Sequence, residues 1–313
     1  MFRKKYFVYK YTGISSDLGN NNFYIPLSMV STINDFSTKH SIDIHPPLAN
    51  DHPDYPVLLR ILSSAIPITR RAGEVARRIQ RLGNLHVVDK GINDFQTAAD
   101  RLAQACIVRS LHRSFPNLKI VAEEDLDYEH MNFAEAEWEL GISLLVNETD
   151  SSPLSHKLPS ELEAIREEEL IVFVDPLDNT TEYTQAFAQN DPSLLHHVTV
   201  LVGIAYRGRA LAGIVYEPFG ERSPSDTHAV SARTGRLVWA VVGLGAVGLD
   251  AAHPDALFSP SDGRRWREDP KLEAEELVVT TTRSRHTPLM IANLKALNPS
   301  HVWHVGGTAY KAQ

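Results

Sequence analysis

The sequence predicts an α+β protein built from layers of helices and sheet. Three observations point there: apolar residues at helical spacing in the first third, a continuous apolar run Leu170–Val174, and two alternating arms between residues 197 and 216. The chain has 313 residues, which suits one large domain or two ordinary ones. Hydrophobic residues make up 43% and charged residues 22%, which excludes a disordered polymer, a collagen-like chain and a coiled-coil rod.

The elements follow in order. Residues 1–50 carry no clear period and are punctuated by Asn20–Asn22 and Pro46–Pro47, so a weakly ordered extension is expected. From Val57, Leu58, Ile61, Leu62 and Ala65, then Ala72, Val75, Ala76 and Ile79, keep helical spacing. Pro67 lies between the two runs, so the spacing predicts either a kinked helix or two short ones. A second helix opens near Gly91–Asp94, with Asn93 or Asp94 as N-cap, and carries Ala98, Leu102, Ala105 and Cys106 on one stripe. Asp100 lies near its first turn, rotated off that stripe.

Lys119–Ala122 reads as a strand ending in Glu123-Glu124-Asp125, and a helical stretch follows near 134–145. The run Leu170–Val174 suits a strand buried on both faces. His197–Tyr206 and Arg209–Tyr216 read as hairpin arms around Arg207-Gly208. A glycine-rich segment spans Trp239–Gly248. Leu277–Thr281 is a strand, Pro288–Leu297 a helix, and Val302–Val305 the start of another strand.

Charge and cysteine content narrow the function. Lys and Arg number 31 against 39 Asp and Glu, a formal charge of −8. That argues against a nucleic-acid polymer as partner, since such binding needs a basic footprint. It leaves room for a phosphate-bearing small molecule if a cation stands between carboxylates and phosphate. Cys106 is the only cysteine, which forbids an internal disulfide or a Cys-based zinc site and fits a reducing, cytoplasmic setting. No apolar stretch approaches the 18–20 or so residues of a membrane span, so no membrane partner is expected. Arg3, Lys4, Lys5 and Lys10, with no acid before Asp17, are faintly like a transit peptide, and an ordinary basic tail is the favoured reading.

The strongest chemical signal lies where the apolar strand ends in Asp175-Pro176-Leu177-Asp178-Asn179-Thr180. Two carboxylates leaving a buried strand together repel each other and are costly to bury. A divalent cation relieves both costs. Asp175, Asp178 and the Leu177 carbonyl are hard oxygen donors that suit Mg²⁺. Glu123-Glu124 offers a carboxylate from a second strand end. Singly, each feature has an ordinary explanation: an Asx turn, a solvated acidic loop, or, for Asp100, an acid near a helix N-terminus. Together, in this order, they are specific.

Ala98–Leu102, Val121–Leu126 and Phe173–Thr184 resemble the inositol monophosphatase superfamily, whose members are Mg²⁺-dependent, lithium-inhibited phosphomonoesterases. The 3′(2′),5′-bisphosphate nucleotidase branch is the most similar, supported by Val198–Tyr206, Trp239–Gly248, Thr280–Ser284 and Val305–Gly307. The resemblance implies a layered αβαβα sandwich of the sugar-phosphatase type, with its last α/β section truncated here. It implies an α+β metal-binding domain over 51–275 and the start of a second α/β domain over 276–313. It assigns two or three Mg²⁺ ions to Glu123, Asp175, the Leu177 carbonyl and Asp178. It assigns activation of the attacking water to Asp100 and Thr180. Thr282, Gly307 and Lys311 match positions that hold a nucleotide bisphosphate, and Arg285 or His286 takes the place of a nucleotide-contacting His.

Three departures stand out. Asn179 replaces the usual Gly, which a left-handed Asn tolerates. Residues 185–197 are longer than their equivalent, and His196-His197 falls there as loop and strand edge, not as ligands. The family's Trp-Asp motif, whose Asp completes the metal cluster, has no counterpart by sequence order. An exposed edge and apolar face are therefore expected, with aggregation of the isolated chain. The leading expectation is hydrolysis of adenosine 3′,5′-bisphosphate to AMP and phosphate. The alternatives are an impaired homologue that only binds metal or nucleotide, and an inositol phosphate phosphatase.

Overall fold

The computed structural model describes residues 54–91, 94–220, 235–249, 257–258, 278–282 and 287–307. The extension expected over 1–50, the boundary at 275/276, and Arg285, His286 and Lys311 lie outside the described residues.

Helix α1 spans Val57–Leu82 without interruption, so the two-helix alternative does not hold. Pro67 lacks the N–H that would bond the Ser63 carbonyl one turn earlier. The Asp150 N–H supplies that bond instead, at 2.8 Å, and Ser63 Oγ donates to the Asp150 carbonyl at 2.7 Å. Arg70 pairs with the Asp150 carboxylate at 2.9 Å. The apolar stripe from Leu58 to Ile79 is buried throughout, and Gly83 ends the helix in a left-handed C-cap.

Strands β1 (Val88–Gly91) and β2 (Asp94–Gln96) form a small antiparallel pair. Gly91 and Asp94, where the helix was expected to open, are therefore strand residues, and Ile92 and Asn93 lie outside the described residues. Helix α2 begins later and spans Ala98–Ser114, with Thr97 as N-cap in place of Asn93 or Asp94. Strand β3 is Lys119–Ala122 and helix α3 is Phe133–Leu140, shorter than the 134–145 stretch because Gly141 turns left-handed. A single turn, α4, spans Ser160–Glu163. Then come β4 (Leu170–Asp178), α5 (Thr180–Ala188), a 3₁₀ turn over Pro192–His197, and strands β5 (Thr199–Tyr206) and β6 (Arg209–Glu217). Arg207 and Gly208 both have positive φ, the geometry of a two-residue hairpin turn.

Among the described residues, strands β7 (Arg236–Val241), β8 (Gly245–Val247) and β9 (Leu257–Phe258) extend a seven-stranded sheet, ordered β3-β4-β5-β6-β7-β8-β9. Only β3 and β4 run parallel in it; the other neighbours are antiparallel. Helices α1 and α2 pack on one face, α2 against β4 and α1 against β5 and β6. Leu170, Val172, Val174, Val200, Val202 and Ile204 point into that interface and are at most 4% exposed. Ile171, Phe173 and Leu201 on the opposite face are half-buried. The strand expected to be buried on both faces is thus sealed on one.

Strands β10 (Val278–Thr282) and β11 (His301–Val305) form a separate parallel pair, joined by α6 (Pro288–Leu297). The bounds of α6 follow its local chemistry. Thr287 caps it through its hydroxyl, which accepts from the Met290 N–H; Pro288 sits at the first helical position, and left-handed Asn298 closes it.

Candidate active site

The predicted acidic turn is a bulge inside a strand. Asp175 faces Leu201 and Asp178 faces Thr199, so three steps along β4 match two along β5. The extra residue falls at Pro176-Leu177. Proline has no N–H for the ladder, and a bulge is where a strand tolerates it. The bulge turns the Asp178 carboxylate inward, where it is 3% exposed and Thr199 Oγ1 donates to Oδ2 at 3.4 Å.

Asn179 follows at φ 80°, ψ 40°, and sends the chain into α5. That reversal places the Thr180 hydroxyl 3.0 Å from the Leu177 carbonyl and 3.0 Å from Asp100 Oδ1. The Tyr183 hydroxyl bonds the Ala76 carbonyl at 2.8 Å and pins α5 to α1. Thr180 carries one hydroxyl proton, so it donates to one of its two acceptors at a time.

Asp100 is held from the other side. Its Oδ2 accepts from the Thr97 N–H at 2.8 Å and the Thr97 hydroxyl at 2.6 Å, while Thr97 caps α2 by accepting from Ala99 N and Asp100 N. This is a reciprocal capping box. Asp100 is 1% exposed. Burial pushes its carboxyl up to about 6, against the lowering effect of the Thr97 and Thr180 hydrogen bonds, and the Glu124 charge adds to the rise. The ordinary reading of Asp100 as a helix-terminus acid holds, and the same carboxylate also reaches the Thr180 hydroxyl.

The two glutamates at the end of β3 have different surroundings. The Glu123 N–H continues the ladder to the Val174 carbonyl at 3.0 Å, and its side chain is exposed beside the bulge. Glu124 is buried, bonded by Lys90 at 2.8 and 3.0 Å and by Gln96. Gln104 of α2 grips the Glu124 backbone at both its N–H and its carbonyl. Glu124 thus fastens β3 to the helix that carries Asp100 and leaves Glu123 facing out.

Gly307 is brought to the same place. It is buried with φ +65°, and a Cβ there would stand 3.3 Å from Asp178 Oδ2. Thr282 ends β10 opposite Val305 of β11, close along the chain to Gly307. The pair His196-His197 lies in the 3₁₀ turn, where the His197 backbone carbonyl accepts from Asn179 Nδ2 at 3.1 Å. Thr97, Thr199 and Gly306 were missed. Thr97 had a legible signal, the Thr-x-x-Asp spacing of a capping box; the other two act through tertiary contacts.

The bulge presents two carboxylates and a carbonyl, all hard oxygen donors, with Glu123 at the neighbouring strand end. That set fits Mg²⁺ in kind. Among the described residues no three His, Cys, Asp or Glu side chains are drawn together closely enough to hold an ion by themselves. No helix among them is long and apolar enough to cross a membrane.

Comparison with known proteins bears on this geometry. The model of the inositol monophosphatase family matches residues 58–312. The chain is similar to 3′(2′),5′-bisphosphate nucleotidase 1 of Homo sapiens, 38% identical over 82% of this chain and 71% of that protein. It is also similar to the protein of the same name from Dictyostelium discoideum, 29% identical over 82% of this chain and 73% of its relative. Among solved structures, an IMPase of Thermotoga maritima aligns with 80% of this chain and 70% of its own at 19% identity, with a TM-score of 0.47.

Proposed function

The chain belongs to the inositol monophosphatase family, and on that premise we propose that it is a Mg²⁺-dependent 3′(2′),5′-bisphosphate nucleotidase, hydrolysing adenosine 3′,5′-bisphosphate to AMP and phosphate. The observation that carries this reading is the Asp100–Thr180 hydrogen bond, formed directly beside the acidic bulge.

In this proposal Asp175, the Leu177 carbonyl, Asp178 and Glu123 hold Mg²⁺. When bound, the metal offsets phosphate charge and makes water more acidic at neutral pH. The chain's own residues supply the proton path. Thr180 Oγ1 takes a proton from the attacking water while passing its own to Asp100 Oδ1. A carboxyl near pKa 6 serves that role at neutral pH, being ionised at the start and a competent acceptor. Thr97 holds the far oxygen, so the receiving oxygen stays aimed at Thr180. The new bond forms between the water oxygen and phosphorus. The bond from phosphorus to the 3′-oxygen breaks, and that oxygen takes a proton from solvent water to leave as the 3′-hydroxyl of AMP, while Asp100 returns its proton to solvent. Gly307 closes one side of the pocket, and Thr282, Arg285, His286 and Lys311 contribute to holding the nucleotide.

The deciding experiment measures phosphate release from adenosine 3′,5′-bisphosphate beside inositol phosphates, with Mg²⁺, with and without Li⁺. Mg²⁺-dependent, Li⁺-sensitive release that prefers the nucleotide supports the reading. Release no greater than that of an Asp178→Ala control sinks it, and preference for inositol phosphates reassigns the substrate.

A further inference from the structure

Asn179 stands at the N-cap of α5, yet its side chain makes no cap hydrogen bond. Its Nδ2 donates instead to the His197 carbonyl at 3.1 Å. The segment after β11 packs against the same amide, with the Glu182 carboxylate beside it. A Cβ at Gly306 would fall 2.6 Å from Asn179 Nδ2, and a Cβ at Gly307 would fall 3.1 Å from it and 3.0 Å from the His197 carbonyl. Three stretches far apart in sequence therefore meet at one side-chain amide: the acidic bulge, the end of the 192–197 turn, and the backbone at 306–307.

The backbone state of Asn179 belongs to the same arrangement. At φ 80° a glycine would sit with less strain. A glycine there has no amide to reach His197, and it removes one of the groups on which Gly306 and Gly307 rest, the others being the Glu182 carboxylate and the His197 carbonyl. Both glycines are buried here, so the amide, which touches both of them and also holds the His197 carbonyl, helps set how near the 306–307 backbone approaches Asp178.

We propose that Asn179 is a positioning residue that locks the Gly306–Gly307 segment and the 192–197 turn onto the acidic bulge, and so fixes the width of the substrate pocket. The link to substrate rests on the nucleotidase reading; the lock itself does not. The amide makes no contact with Thr180 or Asp100 in the hydrogen bonds described. Loosening it therefore weakens substrate and transition-state binding alike, which raises KM and leaves kcat in place.

The test uses Asn179→Gly, which accepts the positive φ and removes the amide, and Asn179→Asp, which keeps the shape and removes the N–H donor. Hydrogen exchange is followed in the metal-free full chain, over 192–198 and 301–307. Both variants are expected to exchange faster in these two stretches and at the wild-type rate in α1. In kinetics with adenosine 3′,5′-bisphosphate, KM is expected to rise about tenfold with kcat within twofold. Unchanged exchange in both stretches for both variants overturns the lock. Faster exchange with unchanged KM overturns its link to substrate. Faster exchange in a chain whose wild type releases no phosphate supports the lock and counts against the nucleotidase reading instead.

Discussion

Thr180 Oγ1 lies 3.0 Å from Asp100 Oδ1, although 80 positions separate them in the chain. The contact depends on two devices that have nothing else in common: a helix N-cap that aims the carboxylate, and a left-handed residue after a bulge that aims the hydroxyl. Removing the hydroxyl by Thr180→Val should lower kcat by about 10²- to 10⁴-fold, the range for loss of a positioned proton acceptor, with KM little changed. Thr180→Ser keeps the hydroxyl and should restore most of the rate. Steady-state kinetics of the two variants decide it: equal losses would place the role of Thr180 in packing rather than proton transfer.

The raised pKa of Asp100 has a consequence for stability. Its folded value, about 6, lies above the ordinary aspartate value of 3.8. Between these two values the folded chain binds more protons than the unfolded one, so stability falls as pH rises through that window. Above pH 6 the charged, buried carboxylate costs the metal-free protein up to roughly 3 kcal/mol, by conversion at about 1.4 kcal/mol per pKa unit. Asp100→Asn removes the charge and keeps an oxygen for Thr97. The metal-free variant should therefore gain on wild type in urea midpoint at pH 7.5 and lose most of that gain at pH 4. An advantage independent of pH would show that the charge is not the cause.

How much of this was legible beforehand varies with the range of the interaction. The hairpin at Arg207-Gly208 and the Pro288–Leu297 helix rest on local chemistry, and the structure has them where the residues place them. The acidic cluster was visible as Asp-Pro-x-Asp, but its nature as a bulge depends on the register with Thr199 and Leu201, which no local pattern in β4 encodes. Asn93 or Asp94 read as the helix start, but Asp94 pairs with Gly91 of β1 and Thr97 caps the helix instead. The pairing of Asp100 with Thr180 came from family resemblance alone. The Asn179 contact to a backbone carbonyl could not be read, because a carbonyl is the same at every position.

Thr97 carries more than a cap. Its hydroxyl and N–H both bond Asp100 Oδ2, and its Oγ1 accepts from the first turn of α2. Thr97→Ala should cost about 1–2 kcal/mol, the upper range for losing an N-cap. It should also lower kcat, because Asp100 then turns more freely about its side-chain bonds. Thr97→Ser should preserve both stability and rate. Urea titration with kinetics on the same samples separates the effects: lost stability with an unchanged rate would mean that Thr97 does not aim Asp100.

The approach of the 306–307 backbone to the bulge can be challenged sterically. A methyl group at Gly306 would stand 2.6 Å from Asn179 Nδ2 and press on the Glu182 carboxylate, which is 4% exposed. Glu182 is buried, and the half-buried Asn179 is tied to the His197 carbonyl. Forcing a carbon into such a contact typically costs about 1–3 kcal/mol. The alternative is for the segment to back away from Asp178. Gly306→Ala should therefore lower the urea midpoint, or else leave it in place while raising KM several-fold, according to which side yields. The double variant Gly306→Ala with Asn179→Gly should be less impaired than the sum of the two singles, because the glycine removes one of the atoms the methyl meets. Strictly additive effects would show that the two residues do not touch in solution.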